Sequence, residues 1–184
     1  MTIASTPIEG LKLVTPEKIM DFRGFLSEVY NRKALFEAGI SVDFVQDNHS
    51  CSAAAGTVRG LHFQSPPFAQ DKLVRVVKGR IFDVAVDLRR SSPTFGRAFC
   101  TELSAENFTQ IFVPIGFAHG FCTLAPDTEV LYKVSNYYAH GHECGLAWDD
   151  PALGIDWPVM TEAAVLSEKD HRNPRLANLK SPFP

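Results

Sequence analysis

Arg59 and His62 in Arg59-Gly60-Leu61-His62-Phe63-Gln64, followed by Lys72 in Gln70-Asp71-Lys72-Leu73-Val74, bring a guanidinium, an imidazole and an ammonium into one short stretch of otherwise apolar, strand-like text. Such groups are costly to bury unless each has a partner or a task. Arginine supplies a fixed positive fork for an anionic or polar group, histidine a base that titrates near neutrality, and lysine a point charge able to steady a developing oxyanion. The combination reads as an active site. The same residues could also form a polar barrel rim with its cations facing water, and the stretch alone leaves both readings open.

A second stretch, Pro114-Ile115-Gly116-Phe117-Ala118-His119-Gly120-Phe121, is a tight turn feeding a strand with His119 at its mouth. In a third, Thr128-Glu129-Val130-Leu131-Tyr132-Lys133, Tyr132 falls inside a strand with Thr128 and Val130 on its face by parity. Across the Ala125-Pro126-Asp127-Thr128 turn this strand is expected to pair with the one bearing His119, which would admit phenol and imidazole to one cavity. A phenol with an ordinary pKa of about 10 suits proton donation to a carbanion. The competing reading is a core tyrosine with its hydroxyl tied off. Asp170, in Ser167-Glu168-Lys169-Asp170, could accept the far N–H of a histidine and fix its tautomer, but pattern alone does not select it over other acidic residues.

The elements that must position these groups are strands. Fourteen Phe, twelve Gly and twelve Pro, with short β-branched runs between turn signals, describe an all-β domain with the spacing of a sandwich or barrel. Candidate strands cover Leu11–Val14, Phe25–Tyr30, Phe44–Ser52, Thr57–Phe63, Lys72–Lys78, Arg80–Leu88, Phe95–Leu103, Gln110–Pro114, His119–Leu124, Thr128–Val134 and Glu143–Trp148. Alternation is clearest after the Lys78-Gly79-Arg80 turn: Phe82, Val84, Val86 and Leu88 form a core face, while Asp83, Ala85 and Asp87 line something polar or face water. Helical text is confined to Arg32–Ala38 and Glu162–Asp170, each too short to organise a core. No repeat, low-complexity tract or linker interrupts residues 1–184, so one domain is expected.

Composition removes several function classes. The net charge of −3, without a basic run, argues against nucleic acid. No apolar run approaches the roughly 20 residues of a membrane span, and Met1–Pro7 has no basic segment leading into an apolar one, so a cytoplasmic location is expected. Cys51, Cys100, Cys122 and Cys144 are scattered, with no Cys-x-x-Cys pair, and read as packing residues in a reducing compartment.

Pro-x-Gly-x-x-His at Pro114–His119 resembles the second conserved motif of the cupin superfamily, a jelly-roll barrel. Metal-binding cupins also carry a His-x-His and a glutamate in the first motif, but here the matching text is His62-Phe63-Gln64 with no glutamate close behind, and Thr123 stands where an Asn is usual. Half of the usual ligand set is missing, which points to a metal-free cupin.

More specifically, the chain resembles the dTDP-4-dehydrorhamnose 3,5-epimerase family. The resembling text is Asp21-Phe22-Arg23-Gly24-Phe25 with Glu28, Gln46-Asp47-Asn48-His49-Ser50, Arg59-Gly60-Leu61-His62, Gln70-Asp71-Lys72-Leu73-Val74, Phe82–Asp87, Gly116–Phe121, Tyr132-Lys133, Asp149-Asp150-Pro151 and Ser167–Asp170. The resemblance implies a cupin-type double-stranded β-helix with short peripheral helices and no metal or cofactor. It implies epimerisation of dTDP-4-dehydro-6-deoxy-D-glucose at C3 and C5, both α to the C4 ketone, through an enolate. In the implied roles His62 is the base, oriented by Asp170, Tyr132 the opposing acid and Lys72 the holder of the enolate oxygen, with His119 and Arg59 positioning the sugar. The nucleotide is assigned to Arg23, Glu28, Gln46, Asn48, Tyr138 and Glu143, some of them reaching a neighbouring subunit's pocket in a homodimer with exchanged N-terminal strands. Exchange would also protect exposed β edges.

Two features of the sequence qualify this. Arg59 and His62 are three positions apart, so an ideal strand sends them to opposite faces, and a bend or bulge at Gly60 is expected. Family members often carry an arginine after the Asp-Asn-His-Ser segment, where this chain has Cys51-Ser52. Other readings are a relative that inverts only C3 or C5 or isomerises the ketone, a metal-dependent cupin, and a non-catalytic sugar-nucleotide binder. The binder would have no reason to keep His62, Lys72, Tyr132 and Asp170 together.

Overall fold

Alternating side chains in the long strands send one row between two sheets and the other outward. The computed structural model describes residues 1–184. Its strands are β1 (Thr2–Ser5), β2 (Lys12–Thr15), β3 (Ile19–Asp21), β4 (Gly24–Leu26), β5 (Gln46–Ser52), β6 (Val58–Gln64), β7 (Lys72–Lys78), β8 (Arg80–Asp87), β9 (Ala98–Ser104), β10 (Gln110–Val113), β11 (Phe117–Thr123), β12 (Thr128–Val134) and β13 (Glu143–Gly145), with one helix, α1 (Arg32–Glu37). A six-stranded sheet runs β1-β2-β10-β7-β12-β5 and a five-stranded sheet β13-β6-β11-β8-β9, while β3 and β4 form a separate hairpin. All strand pairings within the sheets are antiparallel. This is the all-β jelly roll expected.

The core lies between the sheets. Val74, Val76, Ile111, Val113 and Val130 of the larger sheet meet Ile81, Ala85, Leu103, Phe117 and Phe121 of the smaller. Fully burying a Val, Leu, Ile or Phe side chain contributes about 1.5–3 kcal/mol relative to exposure. The outward Val84, Val86 and Leu88 are also buried, against Leu153 and Phe183 of the C-terminal segment. So the apolar face of β8 packs under that segment, while its Asp83–Ala85 face looks into the barrel. Leu35 of α1 and Ile40 cover part of the larger sheet's outer face.

Two expectations are corrected. The strands of His119 and Tyr132 do not pair: β11 has β6 and β8 on its two edges, and β12 has β5 and β7. The Ala125–Thr128 turn is therefore a crossing between sheets, as is Lys78-Gly79-Arg80. The two crossings touch, since a Cβ on Gly79 would lie 2.4 Å from Thr128 Oγ1. Likewise Glu162–Asp170 is not a helix. It forms 3₁₀ turns at Thr161–Ala163 and Asp170–Arg172, because Val165 exchanges backbone hydrogen bonds with Gly56 and Val58. Ala164 and Leu166 then pack on Val58, Cys122 and Trp148. Tertiary pairing overrides the local preference of a short segment.

The distortion expected at Gly60 is present. His62 stands opposite His119 and Arg59 opposite Phe121, so three steps along β6 match two along β11. Gly60 has φ +135°, and a Cβ there would come within 2.6 Å of Gly120 Cα. Glycine is required on both counts.

Candidate active site

A cavity of about 590 Å³ opens between the sheets, lined from the smaller sheet by Arg59, His62, Gln64 and His119 and from the larger by Gln46, Asn48, Lys72, Val74 and Tyr132. The bulge at Gly60 lets Arg59 and His62 reach the same space. Tyr138, Glu143, Lys169 and Asp170 complete its mouth and side. The sequence-derived residues therefore converge, apart from Arg23 and Glu28. Arg23 sits on the exposed β3–β4 turn, paired with Asp21, and Glu28 hydrogen-bonds Asn31.

His62 Nε2 lies 2.5 Å from Asp170 Oδ1. Burial alone would raise the Asp170 pKa, but the His62 hydrogen bond and charge, helped by Ser167 and Lys169, outweigh it and hold the carboxyl below its ordinary value. Asp170 is thus an anion accepting the Nε2 proton, which leaves Nδ1 as the basic nitrogen. His119 forms the analogous pair with the fully buried Asp83, Nε2 to Oδ2 at 2.9 Å. The other Asp83 oxygen has no partner.

Lys72 is buried, and loss of hydration lowers its pKa from 10.5 to about 8 despite the nearby charges of Asp83 and Glu143. Burial raises the Tyr132 pKa, with Arg59 and Lys169 opposing and Glu143 adding to the effect. The phenol therefore keeps its proton at neutral pH. An imidazole backed by a carboxylate, a buried ammonium and a protonated phenol around one cavity can take a proton from carbon, hold the resulting oxyanion and return a proton.

The mouth is bridged by Glu143. It accepts from Tyr138 Oη at 3.1 Å and from Lys169 Nζ at 2.5 Å. Burial would raise its pKa, but the Lys169 and Tyr138 hydrogen bonds prevail and lower it. Nothing in the sequence singles out Lys169, although its neighbour Asp170 is a candidate. In the sequence Gln64 reads only as a missing metal ligand, and Asp83 only by strand parity and as part of the resembling run Phe82–Asp87. No group of three His, Cys, Asp or Glu side chains is placed to hold a metal ion.

A family model described as dTDP-4-dehydrorhamnose 3,5-epimerase matches residues 5–178. The enzyme of that name from Sinorhizobium fredii is 53% identical over 183 residues, covering 100% of this chain and 93% of its own. The crystal structure of dTDP-4-dehydrorhamnose 3,5-epimerase from Bacillus anthracis with TDP and PPi bound superposes with TM-score 0.92 at 50% identity, over 95% of this chain and 99% of that one. The dTDP-6-deoxy-D-glucose-3,5-epimerase from Legionella pneumophila, in complex with dTDP-4-keto-L-rhamnose, gives TM-score 0.92 at 44% identity, over 97% and 94%. The chain belongs to the dTDP-4-dehydrorhamnose 3,5-epimerase family.

Proposed function

We propose that the protein converts dTDP-4-dehydro-6-deoxy-D-glucose to dTDP-4-dehydro-L-rhamnose by inverting C3 and C5. The observation that carries this is the placement of His62 and Tyr132 on facing sheets around one cavity, with buried Lys72 beside them. His62 Nδ1 removes the proton α to the C4 ketone, Asp170 holds the imidazole in the competent tautomer, and Lys72 stabilises the enolate oxygen. Tyr132 delivers a proton to the opposite face. His119, fixed by Asp83, and Arg59 orient the sugar, while Gln46, Asn48, Tyr138 and Glu143 receive the nucleotide.

Arg23 and Glu28 act on a partner's nucleotide, in a homodimer that exchanges N-terminal strands. Neither lines the chain's own cavity, which supports this, as does the exposure of Ile19, Met20, Phe22, Phe25 and Leu26 around them. The protein functions as one domain, without metal or cofactor, in the cytoplasm. Contact of the C-terminal segment with the smaller sheet supports the first point, the lack of a converging His, Cys, Asp or Glu ligand set supports the reading without a metal, and four unpaired cysteines suit a reducing compartment.

The test is incubation with the 4-keto nucleotide sugar in deuterated water, followed by NMR. Deuterium at both C3 and C5 is expected. Label at one carbon would identify a single-centre epimerase, and none would exclude the proposed chemistry.

A further inference from the structure

Gln64 occupies the position where a metal-binding cupin would place its second histidine, yet its side chain is fully engaged elsewhere. It is buried, 4% exposed, and two residues along β6 from His62. Its Nε2 donates to the carbonyls of Phe68 at 2.7 Å and Tyr137 at 3.2 Å. Its Oε1 accepts from the Ala139 N–H at 2.7 Å. Both amide protons are used, and all three bonds go to backbone, two of them immediately before and after Tyr138.

Tyr138 itself is held from the other sheet. Its backbone N–H donates to Gln46 Oε1 at 3.2 Å, and Gln46 in turn donates to Asn48 Oδ1 at 2.9 Å. Three successive residues, 137 to 139, thus each have a backbone group bound to a glutamine side chain, one glutamine from each sheet. The segment has no ladder of its own to hold it: residues between β12 and β13 are irregular apart from one 3₁₀ turn. The Tyr138 ring is exposed at the cavity mouth, touching the protein's polar groups only through its hydroxyl on Glu143.

We infer that Gln64 is a positioning residue for nucleotide recognition, fixing the Tyr138 segment at a set distance from His62 so that the ring forms a ready platform for the base. A buried amide with every hydrogen bond satisfied is a stiff link, since losing it leaves two carbonyls and one N–H without partners. A preformed platform lowers the ordering cost of binding. Gln64 touches neither the base nor the reacting carbons. It acts through Tyr138, and the inference rests on the proposed role of Tyr138 at the nucleotide.

A double-mutant cycle with dTDP as the probe decides it. Gln64→Leu should weaken dTDP binding by about tenfold or more and raise KM more than it lowers kcat. In a Tyr138→Ala background the same change should have little further effect on dTDP affinity. Gln64→Glu, which keeps the acceptor for Ala139 and loses both donors, should reproduce the loss and serves where the leucine variant does not fold. Equal effects of the Gln64 change with and without Tyr138, or unchanged dTDP affinity in a folded Gln64 variant, would overturn the inference. Wild-type affinity in Tyr138→Ala alone would instead remove the nucleotide role of Tyr138 on which it stands.

Discussion

Lys72 Nζ donates a hydrogen bond of 3.2 Å to the backbone carbonyl of His62. The ammonium from the larger sheet is thereby tied to the strand that carries His62, so the proposed oxyanion holder and base keep one spacing. Replacing Lys72 by Met should lower kcat by roughly 10²–10³ while dTDP affinity changes little. The folded pKa of about 8 lies below the ordinary 10.5, so the charged form is present below pH 8 and lost above it. Wild-type kcat should fall as pH rises through about 8, and the residual rate of Lys72→Met should lack that limb. A limb of the same midpoint in the variant would remove Lys72 from this role.

Asp83 raises the proton affinity of Lys72 against burial and holds His119. Asp83→Asn keeps the shape but removes the charge, so the alkaline limb should move below pH 8 and kcat should drop by about 10- to 100-fold. The pH dependence of kcat checks this. An unmoved limb would show that Asp83 serves only to pack His119.

Gly60→Ala should both strain the backbone and drive a methyl into Gly120, 2.6 Å away. We expect a loss of about 2–4 kcal/mol by denaturant unfolding. Turnover should fall as well where the variant folds, because the bulge that admits Arg59 beside His62 is disturbed. Unchanged stability would mean that the strand accommodates a side chain there after all.

The proposed homodimer, in which Arg23 acts in a partner's cavity, predicts complementation. Arg23→Ala should raise KM, and His62→Ala should abolish turnover. At substrate concentrations well below the KM of Arg23→Ala, unfolding and refolding equal amounts of the two variants together should restore about a quarter of wild-type activity per subunit, from mixed dimers holding one intact site. Activity no greater than the sum of the separate variants would place Arg23 on its own chain's cavity or on none.

Much of the site was legible because strand parity is a strong signal. Alternation in Thr128–Val134 sets Tyr132 on one face with Thr128 and Val130, and that in Arg80–Leu88 sets Asp83 on the face away from Phe82, Val84, Val86 and Leu88, which leaves a polar cavity and water both open; in the structure Tyr132 and Asp83 both face inward. The three-residue spacing of Arg59 and His62 even required the bulge at Gly60. Sheet membership was not legible. A short turn between apolar runs looks the same whether it closes a hairpin or carries the chain across a sandwich, so the pairing of His119's strand with Tyr132's was misread. The helix expected at Glu162–Asp170 failed for a related reason, since Val165's partners lie more than a hundred residues earlier. Gln64 and Gln46 were hidden as anchors because side-chain bonds to distant backbone leave no periodic trace.

The facing sheets give the site a calliper gap. His62 and Tyr132, the proposed base and acid, hang from opposite walls roughly 10 Å apart, and Val76, Ile111 and Val130 packed against Ile81, Ala85 and Phe121 set that width. A single methylene added or removed in this packing would move the two proton-transfer groups relative to each other without altering any residue that meets the sugar. In the proposed mechanism stereochemical fidelity is then partly a mechanical property of the interior, and drift there should surface as mixed or incomplete inversion before it surfaces as unfolding.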